Sequence, residues 1–438
     1  MPTLSLEPIL GPTYGVMVFQ DQAIQAAMSI GGFSPAKADA LRKALSRRRS
    51  HQAIVAFWDE FRQGALAQGI NEEVANEVFQ RIGGFSAYGY PQSHAVAFAQ
   101  LAYQTAWLKR YYPAQFLCAM LNAYPLGFYA PDMLIKDAQR HNVLVLSPDV
   151  NLSKSRCTME GDAVRLGLSF VKGVGAVGGQ AIEEARKQKG YFSWLGDLVQ
   201  RSDLSREALE NLLLIGACGS FGLKRRELLW QINLLIPGHR LGPRNKPKGY
   251  QLPLNIALDE PPDLPAMSPW ERMLADYRTM ELSARYHPMA MLRPHLSKEI
   301  MSTKTLASLS DGSSVTVTGM VVARQRPENA KGFCFLTVHD EFGEIDVVVR
   351  PPLYNRQRDI VRTEPLVVVR GTIERGRGSL ALVANNVTRL RVKTLAAAMT
   401  TDIDDTEDDV YVLNADSLRL VAPPSHYFGA GVMNSTIR

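Results

Sequence analysis

Cations crowd one short segment near the start of the sequence. Residues 37–49 contain six Lys or Arg against a single Asp, and Ser34-Pro35 just before them predicts the start of a helix. Repulsion among so many cations on a helix is relieved by phosphates or by acids. The segment is therefore either a site for nucleotide or DNA phosphates or a solvated basic face. Its central and last cations are Arg42, Lys43, Arg47, Arg48 and Arg49.

A loop with glycine and proline, GGFSAYGYPQSH over residues 83–94, leads directly into a long apolar segment. Such a loop can present aromatic and hydroxyl groups, with backbone N–H groups behind them, to a triphosphate or a base. The alternative is a structural turn whose tyrosines pack in the core, and spacing alone favours that alternative. The candidate residues are Tyr88, Tyr90, Ser93 and His94.

A glycine pattern, VKGVGAVGG over residues 171–179, precedes a helical sequence. Alternating apolar residues and glycines are typical of a helix-hairpin-helix element, in which glycine lets the backbone approach a DNA phosphate without reading the bases. A dinucleotide-binding G-x-G-x-x-G also matches, but no βαβ unit with an acid on the next strand follows. A plain glycine turn stays open. The candidate DNA contacts are Lys172, Gly173 and Gly175.

Short apolar runs between residues 314 and 392 are separated by turn residues at the even spacing of a small all-β barrel. Barrels of the OB-fold type bind single strands through exposed aromatic and basic side chains on one face. We expect at least one of Phe333 and Phe335 to be core instead, on the ground that strand positions alternate between two faces. The candidates are Arg324, Arg326, Lys331, Phe333 and Arg350.

Carboxylates suited to metal-assisted phosphoryl transfer are not evident. That chemistry needs several acids held close together around Mg²⁺. Residues 402–409 hold six acids in eight positions, but in a polar stretch with no strand to hold them. Glu344 and Asp346 alternate on one strand, where a solvent-facing role fits. The histidines do not cluster and no Ser/His/Asp arrangement stands out, so we predict no catalytic residue and no metal ligand.

The composition describes an ordinary globular protein of 438 residues. Hydrophobic residues make up 46%, and the mildly basic balance of +6, with a pI near 9.0, suits nucleic acid, an acidic partner or no special ligand. Four widely spaced cysteines without a C-x-x-C pair predict reduced core thiols rather than a zinc site or disulfides. No apolar run is long enough for a membrane span and the start does not resemble a signal peptide, so we expect a cytoplasmic protein.

The elements that position these residues predict a multidomain α+β fold, mainly helical at first and ending in the small barrel. Asn71-Glu72-Glu73 predicts one helix start, and Ser268 with Glu271 forms a capping box that predicts another. Residues 95–121 predict two packed helices. The predicted divisions are a helical region at 1–142, the hairpin region at 143–236, a Pro-rich linker with connecting helices at 237–312, the barrel at 313–395, and an acidic, partly disordered tail at 396–438.

Longer stretches resemble one protein family. EPILGPTYGVMVFQDQ, KADALRKALSRR, GGFSAYGYPQSHAVAFAQLAYQTAWLKRYYPAQF and VKGVG resemble the bacterial C-family replicative DNA polymerases, the DNA polymerase III α-like group. LPAMSPWERMLADYRTMELSARYHPMAMLRPHL and ARQRPENAKGFCFLTVHDEFGEIDVVV are similar to the error-prone branch of that family. The resemblance runs from about residue 7 to about residue 393, in the family's order, and is more specific than any single motif.

The resemblance implies a DNA-directed DNA polymerase, a nucleotidyltransferase used in damage-induced translesion synthesis and DNA repair. It implies that the fingers helix brings Arg42 and Lys43, with Arg47 and Arg48, to the incoming dNTP, and that Ser93 and His94 border the same pocket. The hairpin would hold duplex DNA and the barrel the single-stranded template. Mg²⁺ is the cofactor expected for the family.

The sequence departs from the family in two ways. We find neither its phosphoesterase-like N-terminal domain nor its palm with metal-binding aspartates, and the ending HYFGAGVMNSTIR does not resemble the basic end of the error-prone branch. We therefore expect a truncated, split or degenerate product that binds primer-template DNA and needs a separate palm-containing polypeptide, with other translesion or replication proteins as further partners. The alternatives are a non-catalytic DNA-binding scaffold and an RNA-binding OB protein of the tRNA synthetase kind. The helix-hairpin-helix element argues against the RNA-binding alternative.

Overall fold

The computed structural model describes residues 6–45, 56–83, 91–126, 129–236, 261–327, 330–376, 379–397, 410–423 and 425–429. The chain divides into two compact units, residues 1–111 and 112–438. In the described part of the first unit the helices are α1 (Glu7–Leu10), α2 (Gln20–Gly31), α3 (Pro35–Leu45), α4 (Trp58–Ala67), α5 (Glu72–Gly83) and α6 (Gln92–Tyr111).

Helices α2 to α5 enclose the core of the first unit. Phe61 is fully buried, and its ring lies 5.1–6.4 Å from the rings of Phe33, Trp58 and Phe79. A Cβ on Gly64 would overlap the carbonyl oxygen of the α2 glycine beneath it, so α2 and α4 cross in backbone contact. The predicted start of α5 is confirmed, because Asn71 Oδ1 accepts the N–H of the third residue beyond it at 2.9 Å.

The segment predicted as two packed helices is indeed two helices, α6 and α7 (Pro113–Asn122). Helix α7 buries four residues, including Leu117 and Leu121. In α6, by contrast, no side chain is buried anywhere along its described length. The prediction of packing is therefore wrong for α6.

The hairpin region of the second unit combines helices with a three-stranded sheet of order β1-β3-β2. Residues 168–170 form a 3₁₀ turn between this sheet and the glycine pattern. Aliphatic side chains such as Leu166, Ile182 and Leu212 are fully buried in one shared core. Its further described elements are α8 (Pro131–Arg140), β1 (Val145–Leu146), β2 (Thr158–Glu160), β3 (Ala163–Arg165), α9 (Gly175–Lys189), α10 (Leu195–Ser202), α11 (Arg206–Leu214) and α12 (Arg225–Leu235).

Helix α13 (Pro269–Met280) joins the hairpin region to the barrel, and α14 (Pro288–Leu292) follows it. The predicted capping box is confirmed: Ser268 Oγ accepts the N–H of Glu271, and Glu271 Oε2 accepts the N–H of Ser268. The buried Tyr277 hydroxyl donates to Asp132 of α8 at 3.0 Å. Helix α13 therefore contacts both α8 and the barrel, since Trp270, Met273 and Tyr277 share a core cluster with the barrel residues Met320 and Leu366.

The five-stranded barrel confirms the predicted fold class. Strands β5, β6 and β7 are antiparallel neighbours, β7 pairs in parallel with β9, and β8 closes the ring by pairing with both β9 and β5. The elements are β4 (Ile300–Met301), α15 (Thr303–Leu306), β5 (Ser314–Arg326), β6 (Cys334–His339), β7 (Glu344–Val349), α16 (Pro351–Arg356), α17 (Arg358–Thr363), β8 (Leu366–Arg375) and β9 (Leu380–Arg389).

Part of the segment predicted as a partly disordered tail carries secondary structure. Strand β10 (Lys393–Ala397) pairs antiparallel with β11 (Val410–Asn414), and α18 (Ala415–Arg419) follows. Strand β12 (His426–Gly429) pairs in parallel with the end of β5. The acids of residues 402–409 lie outside the described residues. Among the helices that the structure describes, none combines the length and hydropathy of a membrane span.

Candidate nucleic-acid interface

The glycine pattern forms a tight turn that ends at the first residue of α9. Val171 and Val174 are buried and anchor the turn, while Lys172 is exposed between them. Gly173 has φ of 80° and Gly175 has φ of 57°. This left-handed region favours glycine, because a Cβ there approaches the following carbonyl. The backbone therefore reaches the surface at the start of α9.

The two glycines of this turn differ in what surrounds them. A Cβ on Gly173 would lie 3.3 Å from the backbone of Ala208 in α11, so this glycine permits close packing. A Cβ on Gly175 would meet no atom of the described residues within 4 Å. The N-cap residue, Val174, makes no side-chain cap among those residues. The Gly175 N–H donates to Val171 O at 3.2 Å. Among the described residues the N–H groups of Ala176 and Val177 have no backbone acceptor and lie beside this open space, an arrangement that suits an anion.

Lys172 places a cation at this turn. Its Nζ lies 3.0 Å from a carboxylate oxygen of Glu281, and both side chains are about half exposed. Its backbone is fixed on both sides: the N–H donates to the oxygen of Thr279, and the oxygen accepts from Asn211 Nδ2, each at 2.9 Å. Exposed ion pairs contribute little, so a phosphate can replace Glu281 beside Lys172.

A second glycine turn, which was not predicted from the sequence, lies between α11 and α12. Gly216 has φ of 75°, and Ile215 before it is buried. The available signal was the spacing of apolar residues around Gly216, which repeats that around Gly173; Cys218 replaces the second glycine. A Cβ on Gly216 would lie 2.6 Å from the Arg225 guanidinium, so this turn is covered.

The basic cluster is partly neutralised within α3. Arg42 Nε donates to Asp39 Oδ1 at 2.8 Å, and Lys43 Nζ lies 2.9 Å from Asp39 Oδ2. Hydrogen bonds from Lys43 and then Arg42 lower the pKa of Asp39. Both cations therefore share one carboxylate. Arg47, Arg48 and Arg49 lie outside the described residues.

Ser93 and His94 lie in the first turn of α6, and both are exposed. The N–H of Gln92 already donates to Asp21 Oδ2 at 2.6 Å, so a carboxylate stands at this helix start. The His94 ring lies 4.4 Å from the ring of Phe98. A triphosphate here would meet the side chains of Ser93 and His94 rather than a vacant helix terminus. The predicted Tyr88 and Tyr90 lie outside the described residues.

The structure corrects the prediction that Arg324 contacts DNA. Its side chain is 3% exposed, with Nε donating to Val361 O at 2.8 Å and Nη2 donating to Glu364 O at 2.5 Å. Burial lowers its pKa to about 10. The cause is a bulge in β5 at 321–323, which reverses the alternation of faces and turns Arg324 inward opposite Leu336.

Two aromatic side chains lie at the start of β6: Phe335 on its outer face and Phe333 one residue before the strand. Phe333 and Phe335 are two positions apart and therefore share one face, where both are only half-buried. The expectation that one of them is core was wrong for this reason. Phe335 lies opposite Val348 of β7 in the strand register. The predicted cations differ in what they meet: Lys331 is exposed, Arg326 lies 4.5 Å over the Tyr354 ring, and Arg350 lies 3.5 Å from Glu374.

The opposite end of this outer face is covered by α8. Arg140 Nη1 lies 2.7 Å from His339 Nε2, and the other guanidinium nitrogen lies 3.8 Å from Glu344. A guanidinium only donates, so His339 Nε2 accepts and is unprotonated. Burial, followed by the charge of Arg140, lowers the pKa of His339 to about 4. A bound strand would therefore lie at the Phe335 end of the face.

Among the described residues, no three His, Cys, Asp or Glu side chains are grouped so that they could hold a metal ion. These residues do not fit the Mg²⁺ that polymerase chemistry implies.

Models of three protein families match the regions just described. The bacterial DNA polymerase III alpha subunit finger domain matches residues 1–69. A helix-hairpin-helix motif matches residues 142–228, and an OB-fold nucleic acid binding domain matches residues 315–390. The last two ranges contain the open glycine turn and the barrel.

Curated relatives match nearly the whole chain. The error-prone DNA polymerase of Anaeromyxobacter sp. (strain K) is 39% identical over 415 residues, which are 92% of this chain and 36% of that protein. The one from Bdellovibrio bacteriovorus is 35% identical over 387 residues, 85% of this chain and 36% of that protein. The chain spans about a third of the length of the curated relatives it matches. Over the region that it shares with them, the chain is homologous to the bacterial error-prone DNA polymerases.

Proposed function

We propose that this chain supplies the DNA- and nucleotide-holding part of an error-prone DNA polymerase that copies damaged template. The observation that carries the proposal is the open start of α9. There the missing side chain of Gly175 leaves open space beside the N–H groups of Ala176 and Val177, and Lys172 lies one turn before them. Such a site binds the phosphates of duplex DNA without reading base sequence.

The barrel is the proposed holder of the single-stranded template. Phe333 and Phe335 offer a half-exposed aromatic surface on which bases can stack, and Lys331 and Arg350 supply charge for the backbone. Arg326 contributes charge from above the Tyr354 ring. Arg324 is excluded from this proposal because its side chain is buried and hydrogen-bonded inside the barrel.

The helical first unit is the proposed dNTP holder. Arg42 and Lys43 both pair with Asp39. A triphosphate offers these cations more negative charge than one exposed carboxylate does. Ser93 and His94 complete the proposed nucleotide contacts, and Arg47, Arg48 and Arg49 the proposed contacts to DNA phosphates.

Phosphoryl transfer is proposed to require the part of the polymerase that this chain does not span. Metal-assisted transfer needs acidic ligands around Mg²⁺, and we expect them on a palm in that part. With Mg²⁺ and all four nucleotides, the 438-residue chain alone should not extend a primer. Template-dependent extension by this chain would contradict that. If adding the remainder of a relative never gives extension although DNA binds, the chain is instead a non-catalytic DNA-binding scaffold.

Gly175→Val tests the DNA site itself. Valine should fill the open space over the start of α9 and weaken duplex binding by about tenfold or more, with little dependence on sequence. Gly190→Val is the matched control at the other end of α9, because Gly190 also has positive φ and open space around it among the described residues. Equal duplex affinities of the two variants, measured by fluorescence anisotropy, would overturn the proposed site. Gly173 is unsuitable, since a side chain there strikes Ala208.

A further inference from the structure

Helix α6 is apolar over most of its length and exposed throughout. From Gln92 to Leu108 it has no Asp, Glu, Lys or Arg. Its described side chains include none that is buried, and Tyr103 is 72% exposed, Val96 60% and Leu101 56%. A helix that is hydrophobic all round belongs inside a larger body, because water contact with so much apolar surface is unfavourable.

The apolar surface of α6 covers most of the helix circumference and is interrupted by a polar strip of Ser93, Gln100 and Gln104. With about 100° between successive residues, Val96, Tyr103 and Trp107 fall on one side. Phe98, Leu101 and Leu108 fall on a second side. A third side is lined by alanines at positions 95, 99, 102 and 106, whose small side chains allow a neighbouring helix to approach closely.

We propose that α6 is the docking element around which the rest of the polymerase assembles, meaning the polypeptide that makes up the other two thirds of the curated relatives. A second copy of this chain would form a two-fold contact that covers one side of α6 and leaves the others in water. The relatives are about three times as long as the region they share with this chain, so they contain a body large enough to enclose the helix. The inference rests on the proposed function and adds the surface through which the rest of the polymerase binds.

The test uses the whole 438-residue chain and, as a separate polypeptide, the part of the Anaeromyxobacter sp. (strain K) relative that lies outside the matched region. Binding is measured by titration calorimetry for wild type and for Phe98→Asp, Leu101→Asp and Gln104→Asp. The first two place a charge in the apolar surface and should each weaken binding by about tenfold or more. Gln104→Asp adds the same charge to the same helix at a polar position and should change the affinity by less than about threefold.

Each outcome decides the proposal. Selective loss of binding in the Phe98 and Leu101 variants, with unchanged far-ultraviolet circular dichroism, supports it. Absence of binding by wild type, or equal binding by all variants, overturns it. Light scattering that shows a wild-type dimer, converted to monomer by Leu101→Asp, overturns it in favour of self-association. Duplex binding through Gly175 is measured separately on the same proteins, so failure of the docking surface is distinguishable from failure of the DNA site.

Discussion

The two glycine turns of the hairpin region share a backbone conformation and differ in what lies over it. The first has Gly173 at φ 80°, followed by Gly175 and the open start of α9. The second has Gly216 at φ 75°, and the Arg225 guanidinium lies directly on it. Arg225 Nη1 donates to Leu214 O at 2.7 Å, so it also satisfies the carbonyl end of α11.

The residue types at equivalent positions account for the difference. Lys172 in the first turn corresponds to Ile215 in the second, and Gly175 corresponds to Cys218. Ile215 and Cys218 are both buried, whereas Lys172 is exposed. One spacing of glycine and apolar residues therefore gives either a surface for phosphate or a packed connection between two helices. Substitutions in the second turn should lower stability, whereas substitutions in the first turn should weaken DNA binding.

The largest effect is expected from Arg225→Ala, because Arg225 closes the second turn. Its loss leaves Leu214 O without its side-chain donor and removes a cation that faces the buried Asp276. The free energy of unfolding should fall by about 3–5 kcal/mol, the usual cost of removing one member of a buried charge network. Urea denaturation measures it. Arg226→Ala is the control: its exposed pair with Glu271 should contribute less than about 1 kcal/mol. Equal losses would show that Arg225 does not close the turn.

Ile215→Ala comes next and tests whether the second turn is core. Truncating this buried side chain should cost about 2–4 kcal/mol through lost burial and a residual cavity. Val177→Ala, on the first turn of α9 and 81% exposed, should change stability by less than about 0.5 kcal/mol. A small change for Ile215, or a changed salt dependence of DNA binding in that variant, would mean that the second turn also faces DNA.

Local signals in the sequence predicted much of the fold. Asn71 and the Ser268–Glu271 box start helices because their side chains satisfy N–H groups within one turn, a requirement visible in consecutive residues. The first glycine turn and the barrel were also recognisable, since each depends on spacing along a few residues. These predictions needed no knowledge of distant contacts.

What the sequence could not supply depends on contacts between distant segments. The bulge that turns Arg324 inward arises from pairing with β6, and no residue type marks it. The second glycine turn escaped notice because Cys218 replaces its second glycine and Arg225 covers it from the next helix. The exposure of α6 could not be predicted either, because its residues are of the apolar types that usually form a buried helix.

Lys172→Ala should have a smaller effect, and on DNA binding rather than stability. Removing one phosphate contact should weaken duplex binding by about 1 kcal/mol and lower the slope of log affinity against log salt by about one unit. Lys187→Ala provides a control on the far end of α9, where the side chain is also exposed. Anisotropy titrations at several salt concentrations measure both. An unchanged slope for Lys172→Ala, or the same change for Lys187→Ala, would argue that the first turn does not bind phosphate.

The smallest expected signal is a slow reaction at Cys218, the residue that replaces the open glycine of the first turn. Cys218 is fully buried, and burial raises the pKa of its thiol well above the usual range. Alkylation requires the thiolate, so iodoacetamide at pH 8 should modify Cys218 at least about 100-fold more slowly in the folded protein than in urea. Peptide mass spectrometry resolves this thiol from the other three. Because Arg225 holds the turn closed, Arg225→Ala should raise the rate at Cys218 more than at Cys334, which lies in the barrel. Rapid modification of Cys218 in the folded wild type would mean that the second turn opens as the first does, and the contrast between them would fail.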